Sequence, residues 1–93
     1  QSRERQPAPT EPLTEPGAYL IQAGSFGRFE DADRMKAMLA ILGMQARIER
    51  VEINARALHR VRIGPVSDLT QLERYRRQLR EEGIDTMVIR VGQ

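Results

Sequence analysis

The sequence has no cysteine and no tryptophan, a single histidine, and only 4% aromatic residues. Without cysteine there is no disulfide framework and no thiolate metal site, so cysteine usage says nothing about compartment. No stretch approaches the ~20 consecutive apolar residues that span a bilayer, and no signal-peptide pattern opens the chain. Excess charge is small as well, with 15 Lys and Arg against 13 Asp and Glu. The formal net charge is +2, well short of the basic patch expected of a dedicated nucleic-acid binder. A length of 93 residues allows one small domain and excludes a multidomain enzyme.

Proline is concentrated at one end. Four of the five prolines (Pro7, Pro9, Pro12, Pro16) fall within residues 1–17, where Leu13 is the one large apolar residue. Proline at that density prevents a helix or a strand ladder, and so little apolar area cannot offset the entropy of ordering. Residues 1–17 therefore read as a proline-rich disordered linker, the end of a longer extended spacer. The folded domain is expected over residues 18–93, where 13 basic residues face 10 acidic ones. That length supports one thin core.

Within this domain the chain repeats itself at an offset of 40. Gly24 and Gly43 are separated by 19 positions, and so are Gly64 and Gly83. The same offset pairs Ile21 with Val61, Ala23 with Ile63, Met35 with Tyr75, Leu39 with Leu79, Met44 with Ile84 and Ile48 with Val88. Each half reads as an apolar strand ending in glycine, a helical period, a glycine stop and a second strand.

Local signals agree. Tyr19–Ser25 alternates, with Tyr19, Ile21 and Ala23 on one face and Leu20, Gln22 and Gly24 on the other. From Glu30, the spacing of Ala32, Met35, Leu39 and Leu42 predicts an amphipathic helix stopped at Gly43. Ala46–Ile53 and Leu58–Ile63 read as strands joined around Asn54–Ala55–Arg56. Ser67 or Asp68 can cap a second helix carrying Leu69, Leu72, Tyr75 or the Arg76 stem, and Leu79, with a stop at Gly83. Thr86–Val91 is the last strand. The order βαββαβ predicts an α+β, ferredoxin-like (RNP-like) fold: a four-stranded antiparallel sheet with two helices on one face. Right-handed crossovers give the strand order 4-1-3-2.

The uncovered sheet face is the candidate site. Val61 and Ile63 belong under the helices, so Leu58, Arg60 and Arg62 should point outward, with Leu20 and Gln22 beside them. In the last strand Met87, Ile89 and Val91 read as the core set and Val88 as outward, although the 40-residue repeat places Val88 inside with Ile48. Arginine forks suit carboxylates or phosphates. A solvated surface with cross-strand pairs to Glu49 accounts for the same residues. His59 reads as a structural histidine, the arginines of the second helix as a solvated face with a Glu73–Arg77 pair, and the four methionines as core filler.

Three segments in this order and spacing resemble the SPOR domain family: Tyr19-Leu-Ile-Gln22-Ala-Gly24-Ser25-Phe26, Ala32-Asp33-Arg34-Met35-Lys36-Ala37 with Leu39 and Gly43, and Arg60-Val61-Arg62-Ile63-Gly64-Pro65-Val66. Within the family the first two look most like its cell-division members. The resemblance implies a peptidoglycan-binding module, not an enzyme, that recognises glycan strands denuded of stem peptides and targets its parent protein to the division septum. It implies a periplasmic location in a Gram-negative bacterium, and contact with other division proteins through the parent. A membrane is reached only through an anchor elsewhere in the parent, and nucleic acid is not a partner. The module is expected to be monomeric, with no cofactor, metal or catalytic residue. By motif, the glycan contacts carry over onto Gln22, Ser25 and Arg60, then onto Leu58 and Val88, and Arg62 joins them as the second outward arginine of its strand. Some relatives have an aromatic residue where Leu58 stands.

Other classes share the topology. An adaptor or a small-molecule regulatory domain of ferredoxin-like fold can use the same open sheet. An RNA-recognition module needs aromatics on the first and third strands, and Leu58-His-Arg-Val-Arg-Ile63 has none. An acylphosphatase-like enzyme matches only in a Gln-x-Gly sequence, with no nucleophile–base pair beside it.

Overall fold

The computed structural model describes residues 17–91. The linker expected over residues 1–17 lies outside the described residues except for Gly17, as do Gly92 and Gln93. The elements are β1 (Ala18–Phe26), α1 (Phe29–Ile41), β2 (Ala46–Ile53), β3 (Arg56–Val66), α2 (Leu69–Glu81) and β4 (Met87–Val91). They form one sheet in the order β2-β3-β1-β4, with every pairing antiparallel. This is the predicted α+β, ferredoxin-like order. Among the described residues no helix is long and apolar enough to cross a membrane.

The repeat is real at the level of hydrogen bonds. At the end of α1, Met44 N–H donates to Leu39 C=O at 2.9 Å and Gly43 N–H to Ala40 C=O at 3.0 Å. At the end of α2, Ile84 N–H donates to Leu79 C=O at 2.9 Å and Gly83 N–H to Arg80 C=O at 3.0 Å. These are two Schellman caps, 40 residues apart. Each needs a left-handed residue after the helix, and Gly43 and Gly83 supply it at φ +86° and +75° without a Cβ clash. The caps fold Met44 and Ile84 back onto the core. At the start of α2 the cap is Asp68, whose carboxylate accepts from Thr70 N–H at 2.9 Å.

One core lies between the helices and one sheet face. Ala32 and Leu39 of α1 and their 40-residue equivalents Leu72 and Leu79 of α2 are all fully buried against Tyr19, Ile21, Val61, Ile63 and Val88. The stripe of α2 runs Leu72, Arg76, Leu79: Arg76 is buried, and its guanidinium pairs with Glu73 at 2.8 Å. Glu73 thus pairs with Arg76, where the sequence suggested Arg77. His59 is half-buried on the core side of β3, with Phe29 against it edge-to-face at 5.9 Å. Met35 and Met44 pack in the core, but Met38 is exposed on α1.

The other two glycines do not end strands. Gly24 lies inside β1 and Gly64 inside β3, both at breaks in register. Between Ile21↔Ile63 and Tyr19↔Val66, β3 uses one more residue than β1, which carries Gly64 and Pro65 past the ladder. Proline has no N–H to donate, so a bulge is where a strand accommodates it. This is why β3 runs on to Val66.

Candidate functional site

Cross-strand register decides which side chains share the open face. The pairs Arg47↔Arg62, Arg62↔Gln22 and Gln22↔Met87 form one row across all four strands. A second row joins Glu49, Arg60 and Ser25, and a third joins Val51 and Leu58. Leu20 lies opposite Ile89. Directly opposite residues point to the same side, so these rows are the site: apolar at the β1–β4 end, cationic across β2 and β3.

Ser25 reaches this face through an irregularity. By strict alternation it shares the side of Ile21, under the helices. Between Gln22↔Arg62 and Gly24↔Val61, β1 carries one extra residue, a β-bulge that reverses the parity of the residues beyond it. Ser25 then stands opposite Arg60 and is exposed, while Phe26 turns inward, opposite His59, and packs on the core. A Cβ on Gly24 would lie 2.7 Å from the Phe26 ring. The run Gly24-Ser25-Phe26 is therefore one device: a bulge, an outward hydroxyl and an aromatic folded back over a glycine.

Arg62 is the best-anchored cation. Its Nε donates to Gln22 Oε1 at 2.9 Å and its Nη1 to Glu49 Oε1 at 2.9 Å. Its side chain is 12% exposed, and its Nη2 is buried with no hydrogen-bond partner. Gln22 and Arg60 are buried as well, at 8% and 7%, so both are firmly held rather than solvated. Leu58 is half-buried beside them. The expected cross-strand pairing with Glu49 holds for Arg62.

Five of the six residues predicted for the site, Gln22, Ser25, Leu58, Arg60 and Arg62, share this face. Val88 does not. It pairs with Ile21, is 5% exposed and sits in the helix-side core. The residues around it are inverted to match: Met87 and Ile89 take the side of Gln22 and Leu20, where Met87 is half-buried and Ile89 only 1% exposed. In β4 every residue but Arg90 is apolar, so the strand has no readable parity of its own. The 40-residue pairing of Val88 with Ile48 carried the correct answer. Arg47 was missed because no local motif marks it; only the β2–β3 register brings it beside Arg62. Among the described residues no group of three or more possible metal ligands gathers.

An antiparallel sheet with helices on one face and a cationic, partly apolar surface on the other defines a binding module. The chain belongs to the SPOR domain family, whose model matches residues 15–90. The SPOR domain of RlpA from Pseudomonas aeruginosa is similar at 30% identity and TM-score 0.72, covering 81% of this chain and all of that one. The peptidoglycan-binding domain of the Bacillus subtilis cell wall lytic enzyme CwlC shares the fold at TM-score 0.64 and 21% identity, covering 88% of this chain and 99% of that one. No match was found among curated proteins.

Proposed function

We propose that this domain binds peptidoglycan, recognising glycan strands that have lost their stem peptides, and thereby carries its parent protein to the division septum in the periplasm. The reading rests on family membership joined to one observation. The row Arg47, Arg62, Gln22 and the neighbouring Arg60 and Ser25 make a polar, cationic track across a shallow sheet. A denuded strand exposes lactyl carboxylates that an intact strand ties up as amides. Guanidinium forks favour the free acid, and bulky stem peptides clash with a shallow face. Gln22, Ser25, Leu58, Arg60 and Arg62 are the proposed contacts. The domain acts by binding and performs no covalent step. The parent is proposed to be a cell-division protein of the FtsN type, on the likeness of the opening strand and first helix, with a septal lytic transglycosylase of the rare lipoprotein A type as the alternative, favoured by the 30% identity to the RlpA domain.

The test is co-sedimentation of the protein with purified sacculi before and after amidase treatment. Binding should rise about tenfold or more after treatment, as expected for one or two charge-assisted hydrogen bonds. Equal binding to both preparations refutes recognition of denuded strands. A fluorescent fusion of residues 17–93, exported to the periplasm, should collect at septa, and an even envelope distribution argues against septal targeting.

A further inference from the structure

The β2–β3 register sets two guanidinium groups directly opposite each other, Arg47 on β2 and Arg62 on β3. Like charges in that position repel, and nothing in the fold requires it. Arg62 is offset by Glu49, but Arg47 is exposed and makes no ion pair or hydrogen bond among the described residues. Arg62 in turn keeps one buried donor, Nη2, without an acceptor. A buried unpaired donor is costly, so both arginines are short of an anion.

Space for that anion exists between them. A cleft of about 360 Å³ is lined by Leu20, Arg47, Ile48, Glu49, Arg62 and Gly64. Its charged walls are two cations and one carboxylate, leaving net positive charge. Leu20 adds an apolar surface, and Gly64 presents backbone where a side chain would intrude. Such a site suits a carboxylate carried next to a small apolar group.

We infer that Arg47 and Arg62 form a carboxylate-binding cleft on the open face, in which Glu49 is an internal competitor for the incoming anion. The inference rests on the glycan reading and names the part of the surface that reads the lactyl acid. Glu49 occupies only Nη1 of Arg62 and is 54% exposed, so it can swing into solvent when a ligand carboxylate arrives. The incoming group gains Arg47 together with the Arg62 Nη1 that Glu49 gives up, while Nη2 stays buried behind it. Glu49 thus holds the cleft partly neutral when empty and sets the threshold for binding.

The experiment measures affinity of the full chain for amidase-treated glycan strands and for the same strands with carboxylates converted to amides by chemical coupling. Arg47→Gln and Glu49→Gln are compared with wild type. Both side chains are exposed, and circular dichroism checks that each variant is folded. Glu49→Gln should bind free-acid strands roughly threefold to tenfold tighter and amidated strands as wild type does. Arg47→Gln should bind free-acid strands weaker by a similar factor and lose most of the preference for them. Weaker or unchanged free-acid binding by Glu49→Gln overturns the inference, because Glu49 is then a support for Arg62. Equal losses on both strands for Arg47→Gln overturn it also. Wild-type protein that binds both strands equally keeps the glycan reading and removes the cleft, whereas wild-type protein that binds neither removes both. Displacement of free-acid strands by inorganic phosphate at lower concentration than by acetate overturns the carboxylate assignment.

Discussion

Arg62 reaches across the open face to Gln22, its Nε 2.9 Å from the amide oxygen, in a contact that spans 40 residues of sequence. The bond ties β3 to β1 at the centre of the sheet and fixes the plane of the guanidinium. Removing the acceptor should therefore cost stability as well as binding. Gln22→Leu leaves Nε of the largely buried Arg62 side chain without its acceptor, at a cost of about 1–3 kcal/mol, or a fall in Tm of roughly 4–24 °C for a domain of this size. Gln22→Glu keeps an acceptor and should melt near wild type. Equal melting of the wild type and Gln22→Leu would show that the contact orders nothing.

Val88 separates stability from recognition. It is packed with Ile21 and Val61 on the helix side, so Val88→Ala should cost about 1.5–3 kcal/mol through lost burial and a small cavity. The folded fraction should bind glycan within about twofold of wild type, since binding shifts only with changes at the open face. Urea denaturation and a glycan titration below the melting range read the two effects separately. A large loss of affinity with unchanged stability would return Val88 to the binding face.

Two glycines should differ sharply when replaced. Gly64 lies at φ +122°, and a Cβ there would stand 2.8 Å from the Tyr19 carbonyl oxygen, which the sheet cannot readily move. Gly64→Ala should cost roughly 3 kcal/mol or more, from the left-handed backbone and the clash together. At Gly43 nothing lies within 4 Å of a built Cβ, so Gly43→Ala should cost only the left-handed preference, about 1–2 kcal/mol. Urea midpoints for the two variants rank them directly, and the reverse order would contradict the packing of β3 against β1.

The local elements were legible because their signals are local. Gly43 and Gly83 stop helices through bonds that close within six residues, and Asp68 caps within two. Repetition at 40 then supplied the topology, since two equivalent βαβ halves have few ways to share one sheet. The basic face was legible in part for the same reason: Val61 and Ile63 alternate with Arg60 and Arg62, and apolar parity assigns both sets.

The order of elements, the helix ends and the outward direction of Gln22, Leu58, Arg60 and Arg62 are therefore written in the chain's own pattern. Three further features are decided only in the assembled sheet, although the 40-residue repeat already pointed to one of them. The bulge at Ala23–Gly24 turned Ser25 to the open face, because one extra residue reverses side-chain parity and no single-strand pattern counts it. Pairing with Ile21 turned Val88 inward, because an apolar edge strand has two equivalent faces by its own pattern and only the pairing settled it in favour of the side that the repeat with Ile48 indicated. The register of β2 on β3 brought Arg47 beside Arg62. That juxtaposition is a property of how two strands align, and alignment is set by the whole core rather than by either segment.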